Sequence, residues 1–100
     1  MTIPHYIPRK DQQLCSQVRE SLYWILGSEV GDETLALYQV VDVEPLPDSS
    51  RLLVTLTIPP DEKLVDAYAR LQGASKAIRG EVAASIHRRK APELIFQVRY

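Results

Sequence analysis

Basic residues are concentrated in one short stretch of the chain, between positions 76 and 90. Only one acidic residue, Glu81, lies within it. The side chains there that can carry a positive charge are Lys76, Arg79, His87, Arg88, Arg89 and Lys90. Such side chains bind backbone phosphates, which gives affinity for a nucleic acid without base specificity. The stretch therefore indicates a phosphate-binding surface, although cations are also typical of a solvated helix terminus.

The spacing within this stretch predicts a helix over 76–90. One face of that helix carries small residues between polar ones, at intervals of four and three: Lys76, Gly80, Ala83, His87 and Lys90. Small residues let a nucleic-acid backbone approach the helix closely. The same small residues are also typical of a surface on which another helix packs.

Residues that could support catalysis or bind a metal are scattered along the chain. The two histidines, His5 and His87, are far apart, and neither accompanies a nucleophile motif. Cys15 is the single cysteine, and the acidic pair Asp32–Glu33 lies in a glycine-flanked loop. No glycine loop has the Lys-Ser/Thr sequel of a phosphate-binding loop. We therefore expect a protein that is not an enzyme and that needs neither a metal nor a cofactor.

The composition is that of one small soluble domain. The chain has 100 residues, of which 45% are apolar and 25% charged. It lacks the run of about 18 apolar residues that a membrane-spanning helix needs, and its N-terminus lacks the order of a secretory signal. A single cysteine is typical of a reducing compartment. We expect a cytoplasmic protein that does not enter a membrane.

The net charge of −1 averages two different halves. Residues 1–50 contain three Lys/Arg against eight Asp/Glu, whereas residues 51–100 contain nine against five. This asymmetry favours a nucleic-acid partner for the second half.

Periodicity places the basic stretch in an α+β domain. Pro4 and Pro8 predict an extended N-terminal arm over residues 1–10, followed by a single domain over 11–100. The predicted elements are a helix over 11–26, strands over 35–44 and 51–58, helices over 61–72 and 76–90, and a strand over 94–100. The first strand places Leu35, Leu37, Val41 and Val43 on one face. A short turn predicts antiparallel pairing of the first two strands, and the helical crossover allows the last to lie parallel.

Gly73 interrupts the helical pattern of the second half. The two runs on either side lie almost end to end, which predicts a bend formed by Gly73, Ala74, Ser75 and Lys76. We expect Gly73 to take the left-handed position that glycine favours just after a helix end. On the last strand, Arg99 disfavours pairing with another sheet edge, and we expect a monomer.

Four segments taken together resemble the bacterial ribosome-binding factor A family. The first is the amphipathic helix QVRESLYWIL, and the second is VDVEPLPD followed by the strand LVTLT. The others are ASKAIRGEV and RKAPELIF, whose mutual spacing is the most specific signal. The similarity covers residues 13–99.

The resemblance implies a fold like the type II KH domain, with the order α-β-β-α-kink-α-β and a three-stranded mixed sheet packed on helices. It also implies an assembly factor that binds the small (30S) ribosomal subunit and assists the maturation of its 16S rRNA. On this basis Lys76, Arg79 and the 88–90 cluster contact rRNA phosphates.

The chain departs from the family at the kink, where Lys76 stands at the glycine position and a glycine is displaced to Gly73. A KH-like module for protein–protein interaction, with weak or no RNA affinity, is therefore the alternative hypothesis. The acidic first half also favours that alternative.

Overall fold

A computed structural model describes residues 9–29, 33–47, 50–89 and 91–100. Its elements, in chain order, are helix α1 (Arg9–Trp24) with a following π-helical turn (Ile25–Glu29), a 3-10 turn (Leu35–Leu37), strands β1 (Gln39–Pro45) and β2 (Arg51–Thr57), helix α2 (Leu64–Ser85) and strand β3 (Glu93–Arg99). The predicted arm lies largely outside the described residues, and α1 already begins at Arg9. None of the helices in these ranges combines the length and apolar content needed to cross a bilayer.

The three strands form one mixed sheet in the order β1–β2–β3. β1 is antiparallel to β2 because a short turn joins them, and β3 is parallel to β2 because α2 crosses over between them. The prediction of an α+β fold with a three-stranded mixed sheet packed on helices is confirmed.

One face of the sheet and the inner faces of both helices form the hydrophobic core. The central strand β2 alternates, so that Leu52, Val54 and Leu56 are fully buried while the residues between them are half-buried. From α1, Val18 and Leu22 are equally inaccessible. Burying each such side chain contributes about 1.5–3 kcal/mol, so this face fixes how the helices sit on the sheet.

The predicted first strand begins too early and assigns its faces incorrectly. Leu35 is buried, whereas Leu37 is 62% exposed, because the 3-10 turn places them on different sides. A bulge then leaves Val41 between two pairs, Val40 with Leu56 and Asp42 with Thr55. Val40, rather than Val41, packs on the core. Simple alternation in the sequence carries no signal for a bulge of this kind.

The prediction of two separate helices in the second half is wrong, because α2 is one continuous helix. Gly73 does not adopt a left-handed backbone, and Ala74, Ser75 and Lys76 are also interior to the helix. The buried stripe keeps its phase across this point: Ala67, Leu71, Ile78 and Val82, with Ala74 partly buried between them. Packing of an apolar stripe on the sheet stabilises a helix by more than one interior glycine costs.

Helix α2 ends at Ser85, five residues before the predicted end. His87 has a φ of 57° and is the one non-glycine residue with positive φ among the described residues. Its N–H donates to the Ala84 carbonyl at 3.3 Å, and the Arg88 N–H donates to the Ala83 carbonyl at 2.9 Å. These two bonds form a Schellman motif, with histidine in the position where glycine is usual. The chain therefore turns sharply before the arginines.

Candidate nucleic-acid interface

The outward face of α2 and the chain entering β3 enclose an open groove of about 600 Å³. Three of the predicted cations line it, Lys76 and Arg79 from the helix and Arg89 from the returning chain; the other lining residues are Gln72, Ser75, Gly80, Ala83 and Ala91. We call this feature the cationic groove. Arg79 and Arg89 are ten positions apart in the sequence and share the groove because the chain reverses at His87.

The floor of the cationic groove is open at Gly80. Nothing lies within 4 Å of the point that a Cβ on this residue would occupy. Within the described ranges, no helix packs on Gly80, so the helix-packing explanation of this glycine is not supported. A backbone phosphate can approach α2 closely here.

Arg79 is half-buried at the edge of the cationic groove, and its Nε is buried. Among the described residues, no acceptor bonds to that Nε. A buried donor without a partner costs about 1–3 kcal/mol, and a bound oxyanion would remove that cost. Arg79 also lines a second groove beside β3, together with Tyr68 and Glu93.

The remaining predicted residues lie at different places around the helix end. Lys76 is exposed on α2, whereas His87, Arg88 and Arg89 are exposed in the segment after it. The prediction that His87 shares a helix face with Lys76 is wrong, because the helix has already ended. Lys90 lies outside the described residues. In the described part of the chain, no acid lies within ion-pair distance of Lys76, Arg79, Arg88 or Arg89.

Two structural features around the sheet were not predicted from the sequence. Glu62, in the loop before α2, accepts hydrogen bonds from the Tyr38 hydroxyl at 2.6 Å and from Arg70 Nε at 3.4 Å. The Val98 N–H donates to the Tyr68 hydroxyl at 2.9 Å, so α2 covers part of the β3 edge. The partners of the Tyr38–Glu62 and Val98–Tyr68 bonds are 24 and 30 positions apart, so no local sequence signal predicts these two contacts.

Two aromatic side chains of α1, Tyr23 and Trp24, are also exposed in a way that the sequence analysis did not predict. They are 74% and 65% exposed, and their rings meet edge to face with centroids 5.5 Å apart. The sequence does hold a signal for them, because both lie off the apolar stripe of α1. In the described residues, no group of three or more histidine, cysteine or acidic side chains is arranged to hold a metal.

Comparison with known proteins gives a consistent assignment. The family model for ribosome-binding factor A matches residues 10–98. The chain belongs to the ribosome-binding factor A family. The family member of Koribacter versatilis is 33% identical over 88 residues, which cover 87% of this chain and 72% of that protein. The member of Solibacter usitatus is 31% identical over 90 residues, covering 89% and 73%.

Two sets of coordinates for a family member share this fold. The crystal structure of ribosome-binding factor A from Thermus thermophilus has a TM-score of 0.72 and 23% identity, covering 88% of this chain and 94% of that one. A homology model of the T. thermophilus protein, fitted into a cryo-EM map of its complex with the 30S subunit, has a TM-score of 0.65 and 22% identity, covering 92% and 93%.

Proposed function

We propose that this family member binds the small (30S) ribosomal subunit through the cationic groove and assists the maturation of 16S rRNA. The family assignment supports binding to the ribosome, and the T. thermophilus relative is described in a 30S complex. The observation that carries the proposal is the meeting of Lys76, Arg79 and Arg89 in one open groove.

The three cations of the cationic groove contribute differently to phosphate binding. Lys76 and Arg89 are exposed and attract the polyanion, while the half-buried Arg79 offers its guanidinium donors to a phosphate oxygen. Gly80 leaves room for the sugar–phosphate chain. These contacts read the backbone and its shape rather than the bases.

The protein assists maturation by binding alone, in the cytoplasm, without a cofactor or a catalytic step. A ligand that prefers one of two rRNA conformations shifts the population towards it by its difference in affinity. In this proposal the cationic groove prefers the rRNA conformation in which a backbone segment is accessible to Lys76, Arg79 and Arg89.

Co-sedimentation with purified 30S particles over a range of salt concentrations tests the proposal. With one phosphate contact to single-stranded RNA from each of the three groove cations, log K falls with log salt at a slope of about −2. The double substitution Arg79→Glu and Arg89→Glu lowers the affinity and flattens this slope. The matched control is Lys63→Glu with Arg99→Glu, an equal charge change at two exposed cations outside the cationic groove.

Binding that survives Arg79→Glu with Arg89→Glu and does not depend on salt contradicts the proposal. That result would instead support the alternative function, a KH-like module that recognises a protein. The acidic first half of the chain is the observation that favours the alternative.

A further inference from the structure

The hydrogen bonding of β3 shows which of its backbone groups face away from the sheet. The Glu93 N–H donates to the Ser50 carbonyl at 3.0 Å, so Glu93 and every second residue after it bond to β2. Because β3 is an edge strand, the residues between them turn their backbone N–H and C=O groups to the outer edge of the sheet: Leu94, Phe96 and Val98.

Part of this outer edge is open. The Val98 N–H donates to the Tyr68 hydroxyl at 2.9 Å. Among the described residues, the outward N–H groups of Leu94 and Phe96 have no acceptor. Arg99, whose charge disfavours pairing with another sheet, lies beyond Val98, where Tyr68 already covers the edge. The edge is therefore open from Leu94 to Phe96.

The opposite edge of the sheet, formed by β1, is protected. Pro45 has no N–H, and the Val43 N–H donates to Oδ1 of Asp42 at 2.9 Å. A bulge at Val41 also interrupts the pairing of the strand. Proline and bulges are features by which natural sheets avoid edge-to-edge pairing. β3 has neither, so it is the edge at which a further strand can be added.

The groove beside the open edge suits an uncharged, extended peptide. It has a volume of about 370 Å³ and lies between α2 and the first half of β3. Its charged lining residues are one cation, Arg79, and one acid, Glu93, so it has no net charge, unlike the cationic groove. A polyanion gains no attraction here, whereas the backbone of an extended peptide repeats at the spacing of β3 itself, about 3.3 Å per residue.

We propose that an extended, uncharged segment of a partner protein binds as a fourth strand along β3, with its backbone bonded to Leu94 and Phe96. The main-chain bonds supply affinity, and side chains of the segment that face α2 fill the groove. This interaction goes beyond the proposed function, because it uses the sheet edge rather than the cations of the cationic groove. Since only two residues of β3 are open, the segment binds weakly when presented as an isolated peptide.

The probe is a synthetic peptide of about six residues, the usual length of a strand, that alternates valine and threonine and has blocked termini. Its valines face α2 and its threonines face the solvent. Two further peptides carry N-methyl groups, one on every valine and the other on every threonine. A strand bonds to its neighbour through every second residue, so only one of the two methylated peptides loses the bonds to β3.

NMR titration of the isotope-labelled protein measures both affinity and position. The unmodified peptide slows hydrogen exchange at the Leu94 and Phe96 amides and leaves the Val43 amide, which is already bonded to Asp42, unchanged. One methylated peptide binds like the unmodified one. The other lacks two hydrogen bonds and binds about 5- to 100-fold more weakly.

The variant Tyr68→Phe tests the same surface from the protein side. It keeps the ring and frees the Val98 N–H, so the open edge gains one further donor and the peptide binds about 2- to 10-fold more tightly. Tyr23→Phe, at an exposed tyrosine of α1, is the matched control and leaves peptide affinity unchanged. An unchanged affinity in Tyr68→Phe would mean that the peptide does not lie along β3.

Three other results overturn the inference. The first is equal binding by the two methylated peptides, or no slowing of exchange at Leu94 and Phe96. The second is slower exchange at these amides with single-stranded RNA but not with the peptide, because the groove then takes bases. The third is slow exchange in the free protein that depends on its concentration, because the occupant is then a second copy of this chain. None of them bears on the salt and arginine dependence of 30S binding, which decides the proposed function.

Discussion

At the scale of single residues, Glu62 holds the start of the sheet to the start of α2. Its side chain accepts from the Tyr38 hydroxyl at 2.6 Å and from Arg70, and its backbone carbonyl accepts from the Tyr100 hydroxyl at 2.7 Å. Burial raises the pKa of Tyr38 to about 12, and the hydrogen bond to the Glu62 carboxylate acts in the same direction. The phenol must stay protonated to donate this bond.

The raised pKa predicts that the protein loses stability in alkaline solution. Below the ordinary value of 10.0, Tyr38 is protonated in both the folded and unfolded states, and its contribution is complete. Between that value and about 12 the unfolded state loses its proton first, so the unfolding free energy falls as pH rises, by up to roughly 3 kcal/mol. Urea unfolding at a series of pH values measures this fall.

The variant Tyr38→Phe identifies the source of the alkaline loss. It starts about 1 kcal/mol less stable at neutral pH, because the hydrogen bond is gone, and its stability changes less between neutral and alkaline pH. Tyr23→Phe, at an exposed tyrosine, is the control and keeps the full alkaline loss. An equal loss in Tyr38→Phe would show that another group is responsible.

At the scale of elements, the sequence predicted the number of strands and the antiparallel pairing of the first two, because both depend on local pattern. Leu52, Val54 and Leu56 alternate in the sequence and in the sheet. It did not predict that α2 runs through Gly73, because that depends on how far the apolar stripe stays in phase with the sheet beneath it. Nor could it place the helix end at Ser85, since a histidine takes the left-handed position that a glycine would have marked.

We expect two opposite substitutions, one that removes a glycine at Gly73 and one that introduces a glycine at His87, to stabilise the protein. Gly73 is helical with open space around it, so Gly73→Ala raises the unfolding free energy by up to about 1 kcal/mol. His87 is left-handed, so His87→Gly also stabilises, by about 1 kcal/mol. The sites are about 21 Å apart along the chain's helical path, and the two effects add in the double variant.

Urea unfolding measures both changes, and Ala84→Gly is the control. Ala84 is exposed and interior to the last turn of α2, so glycine there destabilises by about 1 kcal/mol. A loss of stability in Gly73→Ala would indicate a backbone conformation at this position that only glycine adopts. That result would support the kink at Gly73 that the sequence predicted.

At the scale of the whole molecule, charge is segregated along α2. Asp61 precedes the helix and Asp66 lies in its first turn, where acids complement the positive end of the helix dipole. The three cations of the cationic groove, Lys76, Arg79 and Arg89, lie towards the other end. The sequence predicted a basic second half, but the groove itself could not be predicted. It requires the reversal at His87 that brings Arg89 back to Arg79.

This segregation predicts that remote acids slow the approach of RNA without touching it. The double substitution Asp61→Asn and Asp66→Asn removes two negative charges, so the net charge changes from −1 to +1. Asp66 lies about 20 Å from Arg79 along α2, which exceeds the screening length of about 10 Å at 0.1 M salt. At about 0.01 M salt the screening length grows to about 30 Å, so the acids act on approaching RNA and their removal raises the association rate constant several-fold. At about 1 M salt the screening length is about 3 Å, and the difference between the two proteins disappears.

Stopped-flow measurement of both rate constants separates steering from contact. Electrostatic steering changes the association rate constant and leaves the dissociation rate constant unaltered, because long-range attraction acts before the partners dock. Asp61→Glu with Asp66→Glu keeps both charges and associates at the rate of the unsubstituted protein. Slower dissociation in the Asn variant would mean that the acids lie against the bound RNA, so that the interface extends from the cationic groove to the opposite end of α2.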